Sequence, residues 1–160
     1  MADNSAAFPM LGLFFEVKVL NIQGIGAIGE GNFQEVTGLS FKIGTKDVEE
    51  GGENRFVHKF PLQPKYDNLI LKRGMLIGSP LIKWATDSVG SFKFQPKTVV
   101  IKLNNLVYAD ATKEPSFKTV ATWNIVNAYP VALKVSDFKA QDNTIVIETL
   151  ELTYDYFTLG

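Results

Sequence analysis

The sequence lacks cysteine and contains a single histidine, His58, among its 160 residues. Without cysteine the chain cannot form a disulfide, a thiol nucleophile or a cysteine-ligated zinc site. With one histidine it cannot build a site that needs two imidazole groups. These absences exclude most metal chemistry and the cysteine-based enzyme mechanisms.

An excess of positive charge and a long apolar run are also missing. The 16 Lys and Arg residues and the 17 Asp and Glu residues give a net charge of −1, which provides no attractive field for nucleic acid or an anionic membrane. The longest uncharged stretches, residues 4–15 and 19–29, are shorter than the ~20 apolar residues that span a bilayer. Asp3 and Pro9 do not fit a signal peptide. We expect a soluble chain, made in the cytosol, that binds neither membrane nor nucleic acid.

Hydrophobic residues make up 46% of the chain and include 12 Phe, whereas only 21% of the residues are charged. The length fits a single domain over residues 1–160, and a soluble monomer of that size keeps its exposed apolar patches small. We therefore expect that other subunits cover part of the surface.

Alternation of period two dominates the chain and predicts β-strands. Residues 104–105, 129–130 and 141–143 are turn formers that separate these strands at the spacing of an antiparallel barrel or sandwich. The alternating residues are Phe15, Val17 and Val19, then Phe92 and Phe94, then Val99, Ile101 and Leu103, then Trp123 and Ile125.

Two stretches have helical spacing. Residues 66–73 place Tyr, Leu, Ile and Arg side chains on one helical face before Gly74, which can end a short helical turn in the left-handed conformation. Ser79 can then cap a helix that has Pro80 at its first position. The apolar face of this main helix consists of Leu81, Trp84 and Ala85.

Two segments do not fit a self-contained barrel. Residues 44–55 are a charged stretch between two strand patterns, and loops of this length are usually functional or mobile. Residues 144–156 alternate, but they begin with Ile145, Val146 and Ile147, which makes both faces apolar there. We expect another surface to cover the second face.

Gly24, Gly26 and Gly29 match the G-x-G-x-x-G pattern of dinucleotide-binding proteins, and Asp47 or Glu49 follows about 20 residues later. That site needs a helix that begins at the third glycine and points its N-terminus at the pyrophosphate. Residues 30–33 lead into another strand instead, so the three glycines indicate a flexible turn. We predict no cofactor.

Other polar residues imitate catalytic sites. His58 could form a triad with Asp47 and Ser40, but nothing in the sequence fixes that geometry. The carboxylates at residues 49–50 point to opposite faces in a strand and are solvated in a loop. Residues 136–139 fit S-x-x-K but lack the accompanying motifs of the penicillin-binding enzymes. We predict no catalytic site, no metal site and no enzymatic activity.

Six segments carry a more specific signal. They are FQEVTGL at residues 33–39, EEGGEN at 49–54, NLILKRG at 68–74, Trp84, WNIVNAYP at 123–130 and IETLEL at 147–152. Together they resemble the inner-tube proteins of contractile phage tails and of extracellular contractile injection systems. The resemblance extends over residues 15–157, and several segments in one order are far more specific than any one of them.

The resemblance implies a mainly β fold, an antiparallel β-barrel or sandwich with one α-helix and an extended hairpin loop, like the haemolysin-coregulated tube proteins of type VI secretion. Such subunits form hexameric rings that stack into a hollow tube, and contraction of a surrounding sheath drives the tube through an envelope. The implied partners are further copies of the chain, a sheath protein, baseplate and terminator or cap proteins, and luminal cargo. A baseplate-proximal tube initiator and a monomeric barrel that binds a small ligand are the alternatives.

In this family the extended loop corresponds to residues 44–55 and contacts neighbouring subunits. We therefore predict a subunit interface in this loop and in the strand that begins near residue 145. The predicted interface residues are Val48, Glu49, Glu50, Gly51, Gly52, Glu53, Asn54, Arg55, Ile145 and Ile147.

Overall fold

The computed structural model describes residues 13–20, 27–52, 55–107, 116–136 and 146–160. This part of the chain contains ten strands and one helix. In chain order they are β1 (Leu13–Leu20), β2 (Ala27–Phe33), β3 (Glu35–Thr37), β4 (Phe41–Val48), β5 (His58–Tyr66), β6 (Leu69–Gly74), α1 (Pro80–Ser91), β7 (Lys97–Val107), β8 (Ser116–Val135), β9 (Ile147–Thr153) and β10 (Tyr156–Leu159).

The main sheet closes into a barrel. Its strand order is β2-β1-β7-β8-β9-β6-β3, with β10 beside β8, and every pair is antiparallel. The two outer strands, β2 and β3, are consecutive in the chain and flank Gln34, whose N–H donates to the Lys72 carbonyl at 2.9 Å. Because one continuous stretch pairs with β1 on one side and β6 on the other, the sheet has closed on itself. The predicted mainly β fold with an antiparallel barrel is confirmed.

Alternate residues of the barrel strands fill its interior. The nine largest of these side chains, each at most 2% exposed, are Val17, Val19, Leu69, Leu71, Val99, Ile101, Ile125, Leu150 and Leu152. Their alternation along each strand is the pattern that a half-buried sheet requires. The described strands therefore pack the barrel with their own side chains, as small barrels do.

Helix α1 begins where the sequence predicted. Ser79 precedes Pro80, and the predicted face of Leu81, Trp84 and Ala85 is buried, in contact with β2 and β8. The Ser79 hydroxyl does not cap the helix; it accepts a hydrogen bond from the Arg73 guanidinium. The helix ends at Ser91, and its C-cap Phe92 is left-handed with φ 49°.

The helical turn predicted for residues 66–74 is wrong. Residues 69–74 form β6, which pairs with β3 on one side and β9 on the other. Leu69, Leu71 and Arg73 alternate as buried positions, and Gly74 pairs with Ile147. Two ladders of backbone hydrogen bonds outweigh a helical spacing that spans barely two turns.

Three shorter predictions are also wrong. Phe92 and Phe94 lie in the segment between α1 and β7 rather than in a strand, and residues 104–105 lie inside β7 rather than in a turn. Residues 129–130 lie inside β8, where the register shifts between Pro130 and Ala132. A proline at a strand irregularity replaces the expected turn. The turn predicted at residues 141–143 lies outside the described residues.

Candidate assembly interface

Strands β4 and β5 form a hairpin that is separate from the barrel sheet. All eight residues of β4 are exposed, and so are the seven central residues of β5. The predicted loop of residues 44–55 is therefore an extended hairpin in which residues 44–48 belong to β4. A two-stranded hairpin without a core of its own is at best marginally stable in water, so its stability depends on contacts beyond its own two strands.

The hairpin exposes large apolar side chains. Seven of them are between 37% and 56% exposed: Phe41, Ile43, Val48, Phe56, Val57, Phe60 and Leu62. Burying one such side chain completely is favourable by about 1.5–3 kcal/mol. Covering several of these part-exposed groups with another protein surface would therefore contribute substantially to association.

Both faces of the hairpin carry apolar side chains. Residues directly opposite in an antiparallel ladder share a face, so Ile43 lies beside Pro64 on one face and Val48 beside His58 on the other. Phe60, opposite Lys46, extends the second face. The hairpin can therefore contact two surfaces at once, one on each side.

The base of the hairpin is fixed to the barrel by aromatic rings. Phe41 and Tyr66 at the base pack with Tyr154 and Phe157, at ring-centroid distances of 5.6–6.3 Å. The Tyr154 hydroxyl donates to the Gly38 carbonyl at 2.9 Å. Burial above all, with the charge of Asp67 and the neighbouring Tyr66 hydroxyl, raises the pKa of Tyr154 to about 12. The hydroxyl therefore keeps its proton and its hydrogen bond at neutral pH.

The tip of the hairpin carries the predicted acidic residues. Glu50 lies 3.7 Å from His58, and Glu49 is exposed with no ion pair or hydrogen bond among the described residues. Gly52 has φ +98°, and a Cβ at Gly51 or Gly52 would meet open space. Of the remaining predicted residues, Arg55 is exposed, and Glu53 and Asn54 lie outside the described residues.

The second predicted element is strand β9. Ile147 is 38% exposed, and its backbone exchanges hydrogen bonds with Ser136. Both edges of β9 pair within the chain, with β6 and β8, so the strand offers only side chains to a neighbour. Ile145 lies outside the described residues.

Sequence reasoning missed several apolar surface residues. Phe56, Phe60 and Leu62 follow the charged stretch and bring apolar groups to an exposed hairpin. The available signal was the scarcity of charged residues over 56–64, where Lys59 is the sole charged side chain. Residues 75–77 form another exposed apolar segment, in which Ile77 is 97% exposed.

The structure separates the residues of the imagined catalytic triad. The Ser40 hydroxyl donates to Asp67 at 2.5 Å, Asp47 pairs with Lys59 at 3.0 Å, and His58 pairs with Glu50. Among the described residues no group of three or more His, Asp or Glu side chains could hold a metal ion. These polar residues serve local contacts.

The third glycine of the G-x-G-x-x-G pattern and the basic pair Lys72–Arg73 both lie in strands. Gly29 lies in β2 opposite Val19, where a dinucleotide site would need a helix. Lys72 pairs with Glu35 at 3.0 Å, and buried Arg73 pairs with Glu148 at 3.3 Å. The two basic residues therefore hold strands together rather than form a phosphate site.

Helix α1 does not have the length and apolar character needed to cross a membrane, and the described ranges contain no other helix.

Comparison with known proteins identifies the family. The profile of the T4-like virus tail tube protein gp19 family matches residues 13–158, whereas no curated protein matches. A chain from the anti-feeding prophage baseplate, 6-fold symmetrised, is 28% identical with TM-score 0.75, and the match covers 96% of this chain and 97% of that one. A chain from the sheath-tube complex of the extracellular contractile injection system PVC, in its extended state, is 26% identical with TM-score 0.72, covering 100% and 99%.

An Hcp protein shares the fold alone, at 13% identity and TM-score 0.57, with 92% of this chain and 96% of that chain covered. The family profile covers almost all of the described structure, from the first residue of β1 to within one residue of the end of β10. The chain therefore belongs to the T4-like virus tail tube protein gp19 family.

Proposed function

We propose that this chain is the repeating structural subunit of the inner tube of a contractile tail or injection particle, in which six copies close into a ring and the rings stack around a lumen. The observation that carries the proposal is the hairpin β4–β5, which exposes apolar side chains on both faces and lacks a core. In a family of tube proteins, this is the surface expected of a subunit that is completed by its neighbours.

The predicted interface residues belong to this proposal. Val48 is the last residue of β4, and Gly52 lies in the turn that follows. Glu49 and Glu50 lie between them, and Arg55 follows the turn. Ile147 adds an apolar side chain on the outside of the barrel. A contact between different patches on identical subunits either closes into a ring or continues into a filament. In a tube, contacts within a ring close, and contacts between rings continue along the axis.

The alternative function is a tube initiator next to the baseplate. The similarity to a chain of the anti-feeding prophage baseplate favours it, while the similarity to a chain of a sheath-tube complex favours the tube body. A small-ligand barrel would need an interior cavity, whereas the interior here holds the packed side chains of β1, β6, β7, β8 and β9.

The proposed partners follow from the same assembly. The outer surface of the tube faces a sheath protein, its ends meet baseplate and terminator or cap proteins, and its lumen passes cargo or DNA. The role is structural rather than catalytic. Synthesis and assembly take place in the bacterial cytoplasm, before the particle acts outside the cell or at its envelope.

Electron microscopy of the purified chain tests the proposal. Negative-stain class averages should show six-fold rings, and higher protein concentration should give stacks or tubes. Mass photometry should give a mass six times the 17.7 kDa subunit. A monomer that persists across the whole soluble concentration range would overturn the proposed function.

A further inference from the structure

Arg73 is a buried cation whose guanidinium group contacts three elements besides its own strand. The residue lies near the end of β6 and is 3% exposed. Its Nε donates to Glu148 of β9 at 3.3 Å, and its Nη2 donates to the hydroxyl of Ser79, the residue before α1. Its Cζ lies 5.0 Å from the centroid of the Phe33 ring at the end of β2. One side chain therefore connects β2, β6, β9 and the start of α1.

The ion pair between Arg73 and Glu148 is a weak means of stabilising the barrel. Glu148 is 4% exposed, so both partners have lost most of their hydration. The cost of removing two charges from water offsets most of their attraction, and apolar side chains of similar volume often replace such a pair without loss of stability. What the pair adds to apolar packing is direction, because a planar guanidinium donates along fixed lines to partners on different elements.

Helix α1 lacks another directional contact at its start. Its buried face is largely apolar, and apolar attraction is not directional. The connector between β6 and α1, residues 75–78, does not hold the helix by its side chains, since Leu76 and Ile77 are 52% and 97% exposed. Ser79 directly precedes the helix. Its hydrogen bond with Arg73 therefore fixes the point at which the helix begins.

The hydroxyl of Ser79 serves this contact rather than the helix. A serine in this position ordinarily accepts a hydrogen bond from a backbone N–H of the first helical turn. Ser79 is 8% exposed and makes no such bond. Its oxygen accepts from Arg73 instead, so a helix cap is replaced by a link between the helix and the barrel.

We propose that Arg73 is a positioning residue, which fixes where α1 and the connector lie on the barrel, and that its ion pair with Glu148 provides this placement rather than net stability. The connector exposes three apolar side chains, Met75, Leu76 and Ile77, so the same bonds determine the shape of the outer surface beside the helix. A subunit that repeats in an assembly needs the same shape in every copy. The inference does not depend on the proposed function, because its test uses free subunits.

Paired replacements in the full-length chain separate placement from stability. Arg73→Met alone leaves the Glu148 carboxylate buried without its cation and should lower the melting temperature of the free subunit by about 10 °C or more. Arg73→Met combined with Glu148→Leu removes both charges and should return the melting temperature to within about 3 °C of wild type, or raise it. Circular dichroism measures both transitions.

Hydrogen exchange measures the placement of α1 in the same samples. In the double variant the amides of α1 should exchange about tenfold faster or more, because the helix is no longer fixed at its start and opens locally. The amides of β7, a strand of the barrel core, are the internal reference and should keep their protection. Ser79→Ala should also speed exchange in α1 several-fold, although it removes no cap bond.

The exposed ion pair between Lys72 and Glu35 provides a matched control. Lys72 precedes Arg73 on β6, and its Nζ lies 3.0 Å from the Glu35 carboxylate. Exposed pairs contribute little to stability. Lys72→Met combined with Glu35→Leu should therefore leave both the melting temperature and the exchange of α1 close to their wild-type values.

A recovered melting temperature together with faster exchange in α1 alone supports the proposal. Amides of α1 that stay as protected as in wild type would overturn it, because the pair would then not place the helix. A double variant that melts as low as Arg73→Met would also overturn it, since the pair would then supply net stability. So would equally fast exchange of α1 in the control. Whether wild-type subunits form rings is measured separately, so the proposed function can stand or fail independently.

Discussion

The barrel and the hairpin are built from similar strands but have opposite surroundings. In the barrel, β1 and β7 bury Val17, Val19, Val99 and Ile101 at 0–1% exposure, because each inward face meets the others across a closed sheet. In the hairpin, no residue of β4 is buried, although it begins with an apolar alternation. Strand propensity therefore forms both elements, but the barrel supplies its own core, whereas the strands of the hairpin stay exposed.

The junction between the two regions should respond most strongly to mutation. Gly38 has φ +90°, and a Cβ there would overlap the backbone carbonyl of Asn68. Gly38→Ala should cost about 4 kcal/mol from strain and overpacking together, or about 10 °C in melting temperature. Thermal melting followed by circular dichroism measures the loss.

Gly52→Ala is the matched control for the junction. Gly52 also has positive φ, at +98°, but a Cβ there meets nothing within 4 Å. The substitution should strain the hairpin tip by about 1 kcal/mol and leave the barrel's melting transition in place. Equal losses at Gly38 and Gly52 would show that the hairpin shares the barrel's stability.

The next effect contrasts a barrel residue with a hairpin residue. Ile101→Ala should destabilise the free subunit by about 3 kcal/mol, since Ile101 is fully buried and its truncation leaves a cavity. Phe60→Ala, on the exposed hairpin, should change that stability by no more than about 0.5 kcal/mol. Denaturant unfolding of the free subunit measures both values.

In an assembly assay, the hairpin variant should have the larger direct effect. Phe60→Ala should raise the concentration needed for ring formation, while Ile101→Ala should affect assembly only through its loss of folded protein. If Phe60→Ala subunits form rings as readily as wild type does, the apolar hairpin face is not part of the interface.

The smallest expected effect is the pH dependence of the anchor residue Tyr154. Its folded-state pKa of about 12 lies above the ordinary tyrosine value of 10.0, so the folded chain binds more protons than the unfolded chain between these values. The stabilisation is complete below pH 10 and is lost as the pH rises towards 12. Tyr154→Phe should cost about 1 kcal/mol at neutral pH and flatten the stability profile between pH 10 and 12.

Urea unfolding at several pH values measures the profile of Tyr154→Phe against wild type. Tyr156→Phe is the control, because it removes a phenol hydroxyl from a residue that is 45% exposed and leaves the buried anchor intact. A wild-type slope that survives Tyr154→Phe would assign the pH dependence to another group.

The sequence predicted the regular barrel strands and the helix better than the segments that depart from simple alternation. Alternation located β1 and β7, and Ser79 with Pro80 located α1, because these signals are local. The strand at residues 69–74 could not be recognised from its own spacing, since its conformation is imposed by β3 and β9, which are distant in the chain. The buried ion pair between Arg73 and Glu148 could not be predicted from the sequence either. The two residues are far apart in the chain, and their contact becomes evident only when β6 and β9 are placed side by side.

The hairpin shows the same limit for the candidate site. The charged residues 46–55 were visible as an unusual segment, and the resemblance to tube proteins assigned them to an interface. The apolar faces beside them were missed, because Phe56 and Phe60 have the composition of core strands. Composition identifies which residues need burial, but it does not say whether the same chain or another one covers them.

Hydrogen exchange of the hairpin amides, compared between free subunits and assembled tubes, tests the central claim most directly. In free subunits we expect β4 and β5 to exchange fast while β1, β7 and β8 exchange slowly, because local opening of a coreless hairpin costs little free energy. In tubes the hairpin amides should become protected by about 100-fold or more, corresponding to about 2.7 kcal/mol of added local stability. Hairpin amides that are already as protected as the barrel in free subunits, or that stay unprotected in tubes, would contradict the account.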